Sequence, residues 1–166
     1  LPKKPSIAVL PFEVIGDPDL HPVIAAGLAR DITVGLSRTR WLFVTARASA
    51  ARFTHPGQDL VEVGKMLGVR YLLHGSLIAD GDRFRLTVAL TDSVEEGQVW
   101  AERFDRRLDD VFEIQEEIAN QIVGALEAEI ELKERQRALL TPIGSLDAWS
   151  AYHRARDHLF RFRAED

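Results

Sequence analysis

Apolar residues fall along the chain in blocks whose period changes, and the changes mark out the elements. Ser6 to Phe12 (SIAVLPF) is a short continuous apolar run, which predicts a buried central strand with Pro11 near its end. From about Val23 to Arg38 the period is four: Ile24, Leu28, Ile32 and Leu36 share one helical stripe, with Ala25 and Ala29 beside it. Gly27 and Gly35 stand inside that helix, where glycine is unfavourable, so close backbone packing is the expected compensation. Trp41 to Ala46 (WLFVTA) predicts a second apolar strand. Asp59 should cap a short helix through Leu60, Val63, Met66 and Leu67, closed by Gly68.

The period then drops to two. Tyr71 to Ala79 predicts a strand, and Asp80-Gly81-Asp82 a hairpin turn. Phe84, Leu86, Val88 and Leu90 alternate with Arg85, Thr87, Ala89 and Thr91, the pattern of a half-buried strand. Glu95-Glu96-Gly97 turns the chain into a fifth strand, Val99 to Phe104. Asp109 or Asp110 opens the longest helix, with Val111, Ile114, Ile118, Ile122, Leu126 and Ile130 as its apolar stripe. Past Ile130 that helix is charged all round and should overhang the sheet it covers. Thr141-Pro142-Ile143-Gly144 breaks it, and Leu146 to Phe162 reads as a further, aromatic-rich helix.

The order β-α-β-α-β-β-β-α gives an α/β class. The expected architecture is a mixed five-stranded sheet of order 2-1-3-4-5, with strand 4 antiparallel and helices flanking it. Residues 5–138 should form the domain, and residues 139–166 a linker and a further helix.

Composition narrows the chemistry. There is no cysteine, so disulfides, thiolate catalysis and thiolate metal sites are excluded, and a reducing cytoplasm suits the chain although a periplasmic location stays open. A net charge of −5 with dispersed basic residues argues against direct nucleic-acid binding. No apolar run approaches the ~20 residues that span a bilayer. The opening Leu1-Pro2-Lys3-Lys4, without Met, reads as part of a longer protein.

The recognisable reaction motifs are missing. There is no phosphate-binding glycine loop or nucleophile elbow, and His21, His55, His74, His153 and His158 follow no metal-ligand spacing. Asp109, Asp110, Glu113, Glu116 and Glu117 could serve a divalent cation or an acid/base pair, but acids in a first helical turn favour the positive end of the dipole, and that reading is preferred. Arg83 and Arg85 are read as a solvated strand face rather than an anion site, and Trp100 as core rather than a stacking platform. No catalytic residue, metal ligand or cofactor is assigned. Open α/β sheets bind ligands beyond the carboxyl ends of parallel strands, where connections diverge. On that rule the candidate ligand or partner contacts are Gly16, Asp17, Arg47, Ser49, His74 and Ser76.

Several stretches together resemble one bacterial family. They are Pro5 to Phe12 (PSIAVLPF), Gly16 to Pro18, Gly27 to Ile32 (GLARDI), Leu36 to Arg38, Leu67 to Tyr71 (LGVRY), Gly75-Ser76, Val99 to Asp105 (VWAERFD), Leu108 to Phe112 and Gln115 to Ile118. The string resembles the TolB amino-terminal-like, FlgO-related domain of bacterial tetratricopeptide-repeat signalling proteins. That resemblance implies an anticodon-binding-domain-like fold and no catalytic residues, and it makes residues 139–166 the linker and start of a tetratricopeptide-repeat helix. It implies a sensing or protein-interaction module whose partner is another protein, or the neighbouring repeat and output domains, with pairing to a second copy left open. A regulatory region of a class III adenylate cyclase is the alternative, and an enzyme built on the acidic cluster a third reading. Two positions depart from the family: Ala26 stands where Asp is common, and His74 where Glu is common.

Overall fold

A computed structural model describes residues 4–16, 21–54 and 57–140. Strand β1 (Ser6–Val9) is followed by a three-residue strand β2 (Glu13–Ile15) and helix α1 (His21–Ser37). Strand β3 (Phe43–Val44), a single helical turn α2 (Arg47–Ala50) and helix α3 (Leu60–Leu67) come next. Strands β4 (Tyr71–Asp80), β5 (Arg83–Asp92) and β6 (Gly97–Arg107) form a meander, and α4 (Val111–Leu139) closes the fold.

The sheet runs β3-β1-β4-β5-β6, parallel across β3, β1 and β4 and antiparallel from β4 through β6. The five expected strands therefore lie in the expected order. The sheet has six strands rather than five, because the chain re-enters it after Pro11: β2 pairs with β4 through Glu13↔Ser76 and Ile15↔Ile78, extending the edge that β1 occupies at Ile7↔Tyr71. Proline has no amide to give the ladder, so the interruption falls there. The second strand is shorter than expected, Phe43–Val44, although the Phe43 and Thr45 amides still bond to Pro5 and Ile7.

Local chemistry explains the element ends. The Asp59 carboxylate accepts hydrogen bonds from the Val61 and Glu62 amides and so caps α3, and Asp110 accepts one from Glu113 to start α4. The second cap accounts for one of the clustered acids, Asp110, as structural. The expected close helix contact is present: a Cβ on Gly27 would lie 2.7 Å from the Gln115 amide nitrogen, and one on Gly35 2.8 Å from Val123 Cγ2. The same Gln115 donates to Asp31 across the α1–α4 seam at 2.8 Å.

Helices α1 and α4 cover one sheet face and enclose the main core, in which Ile7, Leu28, Ile32, Leu73, Leu86, Ile118 and Leu126 are fully buried. On the other face α2 and α3 shelter a small second core of Ala8, Leu10, Ala50, Val63, Val69 and Leu72. The far part of that face, on β5 and β6, displays exposed Arg85, Thr87, Arg103 and Asp105.

The charged end of α4 does not overhang the sheet. Glu134 is buried, accepts a hydrogen bond from the Tyr71 hydroxyl at 2.5 Å and pairs with Arg137. Lys133 reaches Glu95 at 2.9 Å, Glu95 contacts Arg70, and Arg70 pairs with the buried Asp92 at 3.0 Å. This chain of pairs ties the helix to the beginning of β4 and to the β5–β6 turn. Burial and the Glu134 hydrogen bond push the Tyr71 hydroxyl far above its usual range. The Lys133 hydrogen bond holds the Glu95 carboxyl below its ordinary value. The expected linker and repeat helix lie almost wholly outside the described residues.

Candidate functional site

The connections leaving the parallel strands diverge. From β1 the chain passes through β2 into α1 on one face, and from β3 it passes into α2 on the other. That divergence opens a cleft of about 320 Å³ beyond the carboxyl end of β1. Its floor is Val9 at the end of β1, Phe12 and Val14 of β2. One wall is the alanine face of α1, Ala25, Ala26 and Ala29, whose small side chains leave the space unfilled. Arg47 and Ala51 form the opposite rim, and Arg47 is the sole charged side chain among the described lining residues.

Of the six sequence-derived candidates, Arg47 is the one in this lining. Ser49 is exposed on α2, with its amide bonded to the Ala46 carbonyl. Gly16 ends β2 at φ 116°, packed so closely on β4 that a Cβ would lie 2.8 Å from the Ala79 carbonyl oxygen. His74 and Ser76 are half-buried on β4. The His74 Nε2 lies 2.8 Å from Thr91 Oγ1, and burial holds the imidazole below its ordinary pKa, favouring the neutral ring. Asp17 lies outside the described residues. The structure thus separates the candidates into a cleft residue, Arg47, and a strand-face pair, His74 and Ser76.

Sequence reasoning missed the alanine wall. Its signal was the placement of Ala25, Ala26 and Ala29 on the first turns of a helix that otherwise carries large apolar residues. Ala26 is exposed and lines the cleft at the position where the resemblance led to an expected acid. Phe12 and Ala51 come from segments far apart in sequence, and only the fold shows that they line one cleft.

A second hollow, about 560 Å³, lies at the far end of the sheet beside Ile78, Arg83 and Arg106. Two of its charges already serve each other, Arg85 Nε lying 2.8 Å from Asp105, and Arg103 outside the lining also reaches that carboxylate at 3.2 Å. The Arg85 hydrogen bond keeps Asp105 below the usual carboxylate range. The switch-point cleft is the better candidate, because neither its apolar walls nor Arg47 at its rim has such a partner among the described residues.

The described residues form a helix-flanked mixed sheet with an open switch-point cleft, an α/β domain, and no cluster of metal-ligating residues occurs among them. Residues 3–121 match the family described as HilA/YgeH-like transcriptional regulator, second domain, and the chain belongs to that family. Over 165 residues it is 38% identical to a protein of Rhizobium meliloti (strain 1021) named "Putative adenylate cyclase 3", covering 99% of this chain and 28% of that protein. The chain therefore spans little more than a quarter of the length of that relative.

The fold is also similar to part of TolB from Acinetobacter baumannii: TM-score 0.52, 16% identity, 78% of this chain and 29% of that one. Lipoprotein GNA1162 from Neisseria meningitidis matches with TM-score 0.53 at 17% identity, over 73% of this chain and 98% of that one. The TolB-like fold expected from the motifs is thus present, and the family is that of a transcriptional regulator's second domain. No helix among the described residues is long and apolar enough to cross a membrane.

Proposed function

We propose that the chain is a non-catalytic sensing and protein-interaction module of a larger bacterial regulatory protein, and that the switch-point cleft is its contact surface. The observation that carries this reading is the cleft's chemistry: an apolar floor, an alanine wall and one arginine at the rim. Such a site suits an apolar side chain followed by an acidic one on a protein segment, with Arg47 supplying the charge contact. Ala26 in place of an acid keeps Arg47 without a competitor along the α1 wall. Membership of a family of second domains supports a role beside an output domain. In this reading the parent also carries tetratricopeptide repeats and works in the cytoplasm.

The test is a two-part binding experiment on the described domain: thermal-shift measurement with short peptides combining an apolar and an acidic residue, and capture from lysate by the wild type and by Ala26→Trp. Filling the cleft in Ala26→Trp should abolish peptide binding while the melting temperature stays within a few degrees. Silence of the wild type in both parts, or equal binding by Ala26→Trp, removes the cleft from the account.

One observation favours a second reading, a regulatory region of a class III adenylate cyclase: the 38% identity, over nearly the whole chain, to the Rhizobium meliloti protein. A cyclase domain in the same gene product, with cyclic AMP formation that changes on Ala26→Trp, supports it. A DNA-binding output domain in that position excludes it.

A further inference from the structure

Strand β6 is the edge of the sheet, eleven residues long (Gly97–Arg107), and among the described residues no strand pairs with its outer side. A long open edge is a template for another strand, and proteins that must prevent such pairing usually place proline, lysine or like charges along it. This edge carries neither proline nor lysine. Its central residues alternate in sign instead: Glu102, Arg103, Asp105 and Arg106 surround Phe104. Ala101, Glu102, Arg103, Asp105 and Arg107 are exposed, whereas Phe104 is buried beneath α4.

Two copies joined edge to edge about a two-fold axis normal to the sheet must pair antiparallel, with residues of the same face opposite one another. The axis then passes through a single residue that meets its own copy. Centred on Glu102, on Arg103, on Asp105 or on Arg106, the register sets that charge against itself. Centred on Phe104, it sets Glu102 opposite Arg106 and Arg103 opposite Asp105, each twice by symmetry, so every charged residue from 102 to 106 meets its opposite. On the α4 face the pairs are Glu102 with Arg106, and on the open face Arg103 with Asp105. Arg103 and Arg106 already reach Asp105 and Glu117 within one chain, and those carboxylates stay available to a charge network across the seam.

We propose that β6 is a homodimer edge, with a second copy of this chain adding its own β6 antiparallel in the register centred on Phe104 and extending the six-stranded sheet into a continuous double sheet. The inference rests on the edge alone and is independent of the cleft reading.

Sedimentation velocity of the wild-type chain from micromolar to near-millimolar concentration should show a reversible monomer–dimer equilibrium. Glu102→Arg places like charges opposite Arg106 twice and should weaken association by roughly tenfold or more. The charge swap Glu102→Arg with Arg106→Glu restores opposite signs in this register and should return the dimer to nearly wild-type strength. A wild type that stays monomeric throughout, a single reversal without effect, or a swap as weak as the single reversal overturns the proposal.

A cross-link gives the same answer without altering the charges on which the register depends. The chain lacks cysteine, so introduced thiols react only with each other. Ala101 faces Arg107 in this register, and directly opposed strand residues are close enough for a disulfide. Ala101→Cys mixed with Arg107→Cys should cross-link on oxidation, while either variant alone should not. Equal cross-linking of each alone would place the contact elsewhere.

Discussion

Leu72 and Leu73 are adjacent, fully buried and of the same residue type, yet they belong to different structures. Among the described residues, Leu73 faces α1 and α4 in a core of twenty-three buried apolar residues, and Leu72 faces α2 and α3 in a core of six. The α4 side is built for folding, with long helices brought close by Gly27 and Gly35. The opposite side has one helical turn and one eight-residue helix, and beyond them the strands show charged and hydroxyl side chains to solvent. One sheet therefore divides its labour by face: stability is concentrated on one side, leaving the switch-point cleft, the bare strands and the β6 edge available for contact.

That division can be broken by experiment. The largest effect should come from Leu73→Ala, costing about 4 kcal/mol, because the rigid main core cannot close the cavity. Gly75→Ala should cost about 3 kcal/mol, since a Cβ there would lie 2.1 Å from the Thr87 carbonyl oxygen on the neighbouring strand. Leu72→Ala should cost less, about 2 kcal/mol, because the short elements above it can settle inward. Denaturant titration of these variants checks the order, and a Leu72→Ala loss equal to or larger than that of Leu73→Ala would contradict the division.

Smaller effects sharpen the picture at its margins. Tyr71→Phe leaves Glu134 buried with one partner fewer and should cost about 1.5 kcal/mol. Removal of the exposed Arg85 guanidinium should change stability by less than about 1 kcal/mol, even though it breaks the pair with Asp105.

The smallest predicted effect is a pH slope. His74 has a lowered pKa in the fold, so the unfolded chain binds more protons near the ordinary imidazole value. Stability should then fall as pH drops below about 6.5. His74→Gln should flatten that part of the curve in thermal melts across the range, and an unchanged slope would remove His74 as its cause.

Much of the fold was legible because period carries it. The alternation from Phe84 to Thr91 and the four-residue repeat from Ile24 to Leu36 each fix an element and its buried face, and the connection rules then order the strands. What escaped was short or non-local. Glu13–Ile15 is too brief to announce a strand, and it exists because β4 is long enough to accept it. The turn Arg47–Ala50 has no side-chain cap at Ala46 to reveal it. The charged end of α4 looked solvated because its partners Tyr71 and Glu95 lie dozens of positions away. The site was less legible than the fold. The switch-point rule led to Arg47, but the cleft wall consists of alanines, whose importance is the space they leave.

Hydrogen exchange of the isolated domain against the same residues in the full-length parent protein tests the division of the sheet most directly. Protection should stay unchanged in α4 and in the strand amides beneath it, with new protection on the two sides of the cleft, in the first turns of α1 and around Arg47. New protection confined to α4, or none at all, would contradict this division.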